Sequence, residues 1–370
     1  MKITIERAAL LKSLGHVQSV VERRNTIPIL SNVKLSAKDG KLSLNATDMD
    51  LDIVAGVAAE VAQPGATTAS AHTLYEFVRR LPDGAQVEME AGDGTLALRS
   101  GRANGSLACL PTEDFPVMAS GDPTHGFEMP VGDLKALIDH TRFAISTEET
   151  RYYLNGVYLH AAERDGSPVL RAVATDGHRL ALSEGPLPDG ATGMPGVIVP
   201  RKAVAEIRKL IEDVTGDVRV DLSESKIRFS FEDAVMTSKL IDGTFPDYQR
   251  VIPEGNDKVL ETDCAGFIKA VELVSSITSE KSRAIKLGIE GSAMTLSASS
   301  SEQGSATYEL EVQHSGDGLE IGFNARYLLD IAQQIESGNL RFTFADSASP
   351  TIIQDVDDQA ALYVLMPMRV

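Results

Sequence analysis

Asp176-Gly177-His178-Arg179 puts a carboxylate, an imidazole and a guanidinium within four residues, side chains that can move protons or hold an anion. Acid–base catalysis also needs a nucleophile or a ligand set brought to the same place. No such partner accompanies this segment by spacing. The seven histidines are scattered and unpaired, so no metal site is expected. No G-x-x-x-x-G-K-[ST] and no G-x-G-x-x-G after a strand occurs, so nucleotide binding finds no support. Cys109 and Cys264 lie far apart, outside any C-x-x-C pair, and read as two reduced, largely buried thiols. A disulfide or a metal site is the minor alternative. No catalytic residue, cofactor or metal is therefore expected.

The other chemistry-bearing residues are cationic. Arg7, Lys12, Arg23 and Arg24 stand against Glu6 and Glu22. Arg79 and Arg80 stand against Glu76, and Arg201, Lys202, Arg208 and Lys209 against Glu206 and Glu212. These segments are locally positive in a chain whose formal net charge is −18. An acidic balance argues against nucleic acid in the far field, but a local basic surface can survive inside it. Another reading makes these charges solvated helix faces tuned to helix ends.

The elements that carry these residues recur three times. Ile3-Thr4-Ile5, Phe127-Glu128-Met129 and Val259-Leu260-Glu261 are strand starts, each followed by an amphipathic helix: 7–21, 131–143 and 264–277. A second helix follows in each copy, over 71–81, 201–214 and 325–335. Ser70 and Asn324 are expected N-caps, and Gly84, Gly216 and Gly338 are expected stops. Alternating stretches such as Lys41-Leu42-Ser43-Leu44 and Ile227-Arg228-Phe229-Ser230-Phe231 read as half-buried strands. Asp39-Gly40, Asp93-Gly94 and Asp165-Gly166 mark hairpins. Boundaries fall near Asp122-Pro123 and Pro253-Glu254-Gly255, giving domains 1–122, 123–254 and 255–370.

Two one-sided helices and several antiparallel strands pack as helices on one face of a sheet, an α+β arrangement. Three such units in a row leave an open sheet edge at each end of the chain. Pairing the first unit of one chain with the third of another covers both edges, and a head-to-tail contact closes into a ring when the rotation permits. The positive helix segments favour helices inside, lining a weakly positive bore that attracts phosphates without reading bases. The 325–335 helix breaks this pattern, with Arg326 against Asp330 and Glu336.

Seven motifs carry a likeness to a known family. They are Pro28-Ile29-Leu30, Arg151-Tyr152-Tyr153-Leu154-Asn155-Gly156, Ala174-Thr175-Asp176-Gly177-His178-Arg179-Leu180, Val199-Pro200-Arg201-Lys202, Thr237-Ser238-Lys239-Leu240, Phe245-Pro246-Asp247-Tyr248 and Met366-Pro367-Met368-Arg369. Over its whole length the sequence resembles the bacterial beta sliding clamps, the beta subunits of DNA polymerase III. The resemblance implies three repeated clamp domains in a head-to-tail homodimeric ring, acting as a non-catalytic processivity factor on double-stranded DNA. It implies as partners the DNA polymerase III alpha subunit, the clamp loader and other proteins bearing short glutamine- and leucine-rich peptides.

By motif, the family's peptide pocket maps to Leu154, Thr175, Gly177, His178, Arg179, Leu180, Pro246, Arg250, Val251, Asn324, Tyr327, Pro350, Val364, Met366, Pro367, Met368 and Arg369. Its DNA contacts map to Arg24, Tyr152, Tyr153, Arg201 and Lys202, and Leu107 and Ile277 become seam residues. Three positions depart from the pattern. His72 and Thr73 stand where a relative has two basic residues, and Gly105 where it has an aromatic at the subunit contact.

Two other readings stand beside this one: a repeat-built scaffold that binds only proteins, and a hydrolase with its site at a domain junction. The alternating start Met1-Lys2-Ile3-Thr4-Ile5 is not a signal peptide, and no apolar run reaches the ~20 residues of a membrane helix. A cytosolic protein with no membrane partner is expected.

Overall fold

A strand that runs directly into a helix opens each repeat. The computed structural model describes residues 1–119, 121–212, 214–278 and 283–369. Its helices are α1 (Arg7–Gln18), α2 (Ala71–Arg79), α3 (Val131–Asp139), α4 (Arg201–Leu210), α5 (Cys264–Ser275) and α6 (Ala325–Ala332). The strands Lys2–Glu6, His125–Pro130 and Lys258–Asp263 lead into α1, α3 and α5. In each case the first helical N–H donates to a carbonyl just beyond the second helix of the same repeat. These bonds are Arg7 to Ala85 (2.9 Å), Val131 to Gly216 (2.9 Å) and Cys264 to Gly338 (2.8 Å). Gly84, Gly216 and Gly338 all sit at positive φ there, the conformation a chain needs to turn out of a helix.

The helices end about a turn before the apolar periodicity does. After α1, Val20 and Val21 donate to Val17 and Gln18, three residues back, so the last turn tightens and still buries both valines. In the 201–214 segment regular helix stops at Leu210, and Asp213 lies outside the described residues. Asn324 caps α6 by accepting from the Arg326 N–H at 3.0 Å. Ser70 makes no such bond, and its hydroxyl meets Thr73 instead. The effective caps of α1 and α5 are carboxylates: Glu6 accepts from Ala9 (2.8 Å) and Asp263 from Gly266 (2.5 Å). Backbone donors hold the Glu6 carboxyl below its ordinary range.

Two compact units emerge, one of Met1–Leu134, Pro188–Thr192 and Lys202–Leu240, the other of Lys135–Leu187, Gly193–Arg201 and Ile241–Val370. The sheets explain this grouping. In the first unit an eight-stranded sheet joins strands of the first repeat to strands of the second through Leu51–Ala58 and Ala234–Lys239. In the second unit a nine-stranded sheet joins the second repeat to the third through Arg179–Pro186 and Ala361–Leu365. Each junction, called a joint below, is an antiparallel backbone ladder. The three hairpin turns named above have both residues at positive φ, matching the twist of their strands.

Each unit also holds a smaller sheet that ends in a strand with one open side. Ala103–Ala108 closes the five-stranded sheet of the first unit, and Gly304–Glu311 closes the four-stranded sheet of the second. Helices cover one face: α1 packs on α2 and on strand Leu51–Ala58, while α5 packs on α6 and on Gly304–Glu311. Leu10, Leu14, Val17, Leu74 and Val78 are fully buried, each contributing roughly 1.5–3 kcal/mol of transfer free energy. Cys109 is half-buried, Cys264 is buried, and both are free thiols.

Candidate functional site

The second joint carries a cleft of about 290 Å³, lined by Arg151, Tyr153, Leu154, Thr175, Gly177, His178, Arg179, Leu180, Pro246, Asp247, Tyr248, Val251, Val364 and Met366. Its floor is apolar because of strand register. Leu180 and Val364 are direct cross-strand partners, and they pack with Leu154, Val173, Ile198, Phe245 and Tyr248 in one buried cluster. Val251 and Met366 remain about half exposed at the rim, so the cleft offers apolar surface to solvent.

A turn between two strands forms one wall. The Thr175 hydroxyl donates to the Arg179 carbonyl (2.7 Å) and accepts from the Gly177 N–H (3.1 Å). Asp176 Oδ1 accepts from the N–H groups of His178 (2.9 Å) and Arg179 (3.1 Å). Gly177 holds a φ of +87°, which L side chains rarely adopt, and a Cβ there would displace Arg151 Nη1, 2.5 Å away. Asp176 is therefore a turn-forming carboxylate. The His178 ring lies near parallel to Tyr327, 6.3 Å between centroids. The Asp176 carboxylate is thus engaged with the turn's own N–H groups and with Arg179.

Arg179 is held from every side. Its Nε donates to Asp176 (3.1 Å), Nη1 to Asp330 of α6 (2.6 Å) and Nη2 to the Phe143 carbonyl (2.8 Å). The guanidinium also lies 4.3 Å from the Tyr327 ring centroid. With all three of its nitrogens engaged and its side chain 8% exposed, Arg179 fixes the wall of the cleft it lines. Below the floor, the Tyr248 hydroxyl accepts from Arg171 Nη1 (2.9 Å) and lies 3.0 Å from His160 Nε2. Arg171 in turn donates to Glu184 (2.6 Å). Burial lowers the His160 pKa below its ordinary value.

Of the pocket residues expected from sequence, ten line this cleft: Leu154, Thr175, Gly177, His178, Arg179, Leu180, Pro246, Val251, Val364 and Met366. The other seven lie outside the lining. Tyr327 backs Arg179, and Arg250 pairs with the lining residue Asp247 at 2.8 Å. Asn324 caps α6, and the Pro350 carbonyl accepts from Asn256. Met368 donates its N–H to Gly322 (2.8 Å), anchoring the tail in which Pro367 and Arg369 sit. Val370 lies outside the described residues. Sequence reasoning missed Arg151, Asp247 and Tyr248 and put Tyr153 elsewhere. Tyr248 stands inside a motif already singled out, two residues after Pro246, with its ring on the apolar side.

The residues mapped to DNA behave unevenly. Arg24, Arg201 and Tyr152 are exposed, and half-buried Tyr153 meets Tyr152 edge-on at 5.8 Å. Lys202 is engaged: its ammonium pairs with Asp48, approaches Glu22 at 3.8 Å and donates to the Val20 carbonyl at 3.1 Å. Arg7 is likewise tied to Asp83 and the Arg79 carbonyl, and Lys209 to Glu206. The cationic surplus of the helix segments is thus smaller at the surface than a residue count suggests. His72 bridges Gln18 (3.0 Å) and the Val21 carbonyl (2.9 Å), so it joins α2 to the end of α1. Leu107 is half-buried on the open-sided strand Ala103–Ala108, and Ile277 is half-buried just past α5. Among the described residues no group of three or more His, Cys, Asp or Glu is placed to hold a metal. No described helix is long and apolar enough to cross a membrane.

Comparison with known proteins places all three repeats in one family. The N-terminal, central and C-terminal domains of the DNA polymerase III beta subunit match residues 1–119, 128–247 and 249–369. The chain is 55% identical to the beta sliding clamp of Caulobacter vibrioides and 39% identical to that of Escherichia coli K12, each over 100% of both chains. A crystal structure of the DnaN sliding clamp from Bartonella birtlesii bound to griselimycin matches with a TM-score of 0.97 at 48% identity, covering 100% of both chains.

Proposed function

The chain belongs to the beta sliding clamp family, the beta subunits of DNA polymerase III, and on that footing we propose that two copies close head to tail into a ring around duplex DNA. The ring has no catalytic role of its own and needs no cofactor or metal. It works in the cytoplasm, on the nucleoid, as a processivity factor. Its domains span residues 1–122, 123–254 and 255–370. The open-sided strands Ala103–Ala108 of one copy and Gly304–Glu311 of the other form the seam, supported by Leu107 and Ile277.

The observation that carries the reading is the apolar cleft at the second joint. It takes the apolar anchors of short peptides borne by the DNA polymerase III alpha subunit, the clamp loader and other clients. Burying a leucine is worth roughly 1.5–3 kcal/mol. Two or three such anchors supply roughly 3–9 kcal/mol before the cost of ordering the peptide, against the ~8 kcal/mol of micromolar binding, so the peptide's polar groups supply the rest. Methionine at the rim suits a surface that serves several partners. Arg24 and Arg201 meet phosphates, and Tyr152 and Tyr153 meet sugars or exposed bases. Lys202 joins them only by exchanging its carboxylate partners for phosphate.

Retention on closed circles tests the reading. Loaded on a nicked circular plasmid, the protein stays bound through gel filtration and leaves when the plasmid is cut once. Equal retention on circular and linear DNA, or none on either, refutes the ring; the second result favours a protein-only scaffold.

A further inference from the structure

Gly105 interrupts the open-sided strand Ala103–Ala108, and its backbone conformation does not demand glycine, since its φ is not positive. The reason lies above it. A Cβ at position 105 would stand 2.9 Å from Cε2 of Phe77 in α2, so the ring occupies the space a side chain would fill. Phe77 is only half-buried in the chain. On the same strand Leu107 is half-buried as well, which extends the apolar row along this edge.

The other open edge is complementary. On Gly304–Glu311, Tyr308 is 39% exposed, and Leu273 of α5 is 48% exposed. Charges are opposite in sign: Arg99 and Arg102 are exposed beside the first edge, and Glu309 and Glu311 on the second.

We infer that Phe77, seated over Gly105, is the aromatic anchor of the contact between two copies of this chain, and that it meets the Tyr308 and Leu273 surface of the second copy. The inference rests on the ring reading and deepens it. The anchoring ring comes from a helix, and the strand beneath gives up its own side chain to make room.

Sedimentation equilibrium of the full chain tests this, with circular dichroism to verify folding. Phe77→Ala and, on the opposite edge, the surface change Tyr308→Ala each weaken the dimer at least about tenfold. Gly105→Phe forces the Phe77 ring aside and weakens the dimer further, and the double variant F77A/G105F recovers most of the loss by returning an aromatic to the strand. Folded Phe77→Ala and Tyr308→Ala proteins with unchanged dimerisation overturn the inference and leave the ring intact. A wild-type chain that stays monomeric overturns both.

Discussion

The two joints share one backbone plan and differ in the side chains laid on it. At the first joint, Thr47 donates to the Leu51 carbonyl (2.9 Å) and accepts from the Met49 N–H (3.0 Å), while Asp48 accepts from Asp50 (2.9 Å) and Leu51 (2.7 Å). Thr175, Gly177, Asp176, His178 and Arg179 repeat this pattern at the second. The closing strands match too: Lys239 donates its N–H to the Asp50 carbonyl (2.8 Å), and Met366 donates to that of His178 (3.0 Å). Yet the row that forms the cleft floor at the second joint, Val173, Leu180 and Val364, is Asn45, Asp52 and Thr237 at the first. An apolar row invites apolar anchors. A polar row satisfied within the chain, with Asn45 donating to Asp52 at 3.0 Å, does not.

The use of the turn carboxylate differs as well. Asp48 grips Lys202 of α4 directly, whereas Asp176 steadies Arg179, which reaches Asp330 of α6. The first arrangement locks a joint. The second builds a rigid wall beside an open surface. Duplication thus supplies a frame twice, and a few substitutions decide which copy carries an apolar row.

The largest expected effect breaks the second joint. A chain ending at Leu365 loses the rim residue Met366 and the Met368 anchor. Its affinity for a glutamine- and leucine-rich peptide, read by fluorescence polarisation, falls by more than about 100-fold. The dimer mass is unchanged. Unaltered peptide binding would detach the tail from the cleft.

The next effect sharpens the first joint. Burial raises the Asp52 carboxyl from its ordinary 3.8 to about 6, against the opposing hydrogen bond from Asn45 and the charge of Arg228. The folded chain therefore holds this proton more tightly than the unfolded chain. The associated stability is fully present below about pH 4 and is lost as pH rises through about 6. Asp52→Asn, which stays neutral, gains on the wild type between about pH 4 and about pH 7 by up to about 3 kcal/mol. Parallel urea-denaturation curves across that range would contradict this. The counterpart Leu180 has no such pH dependence.

A smaller effect comes from Asp330→Asn. It leaves the Arg179 guanidinium without its α6 carboxylate, loosens the wall and weakens peptide binding about tenfold. An unchanged affinity would make the pair irrelevant to the cleft. The smallest effect lies away from both joints: Arg24→Glu lowers retention on nicked circles a few-fold, more at low salt than at high salt. Retention that ignores this reversal would remove Arg24 from the bore.

Much of this was legible in the sequence because repetition exposes it. The three strand-to-helix starts, the glycine stops and the Asp-Gly hairpins follow from local rules, and the structure has them in place. The carboxylate caps Glu6 and Asp263 were equally local but went unread. Ion-pair partners were not legible: Lys202 and Asp48 are far apart in the chain, and only the fold brings them together. The same holds for Arg179, whose phenyl neighbour Phe143 and whose α6 neighbours Tyr327 and Asp330 come from two distant segments. Phe77 over Gly105 is a packing fact that no spacing rule predicts.

Peptide capture, as proposed, depends on the apolar row of the second joint. Methyl-labelled protein titrated with a short glutamine- and leucine-rich peptide reads this directly by NMR. Resonances of Leu154, Leu180, Val364 and Met366 should move together and saturate at one peptide per chain, with Met49 and Leu51 still. Saturation at two per chain, or shifts centred on Met49 and Leu51, would contradict it.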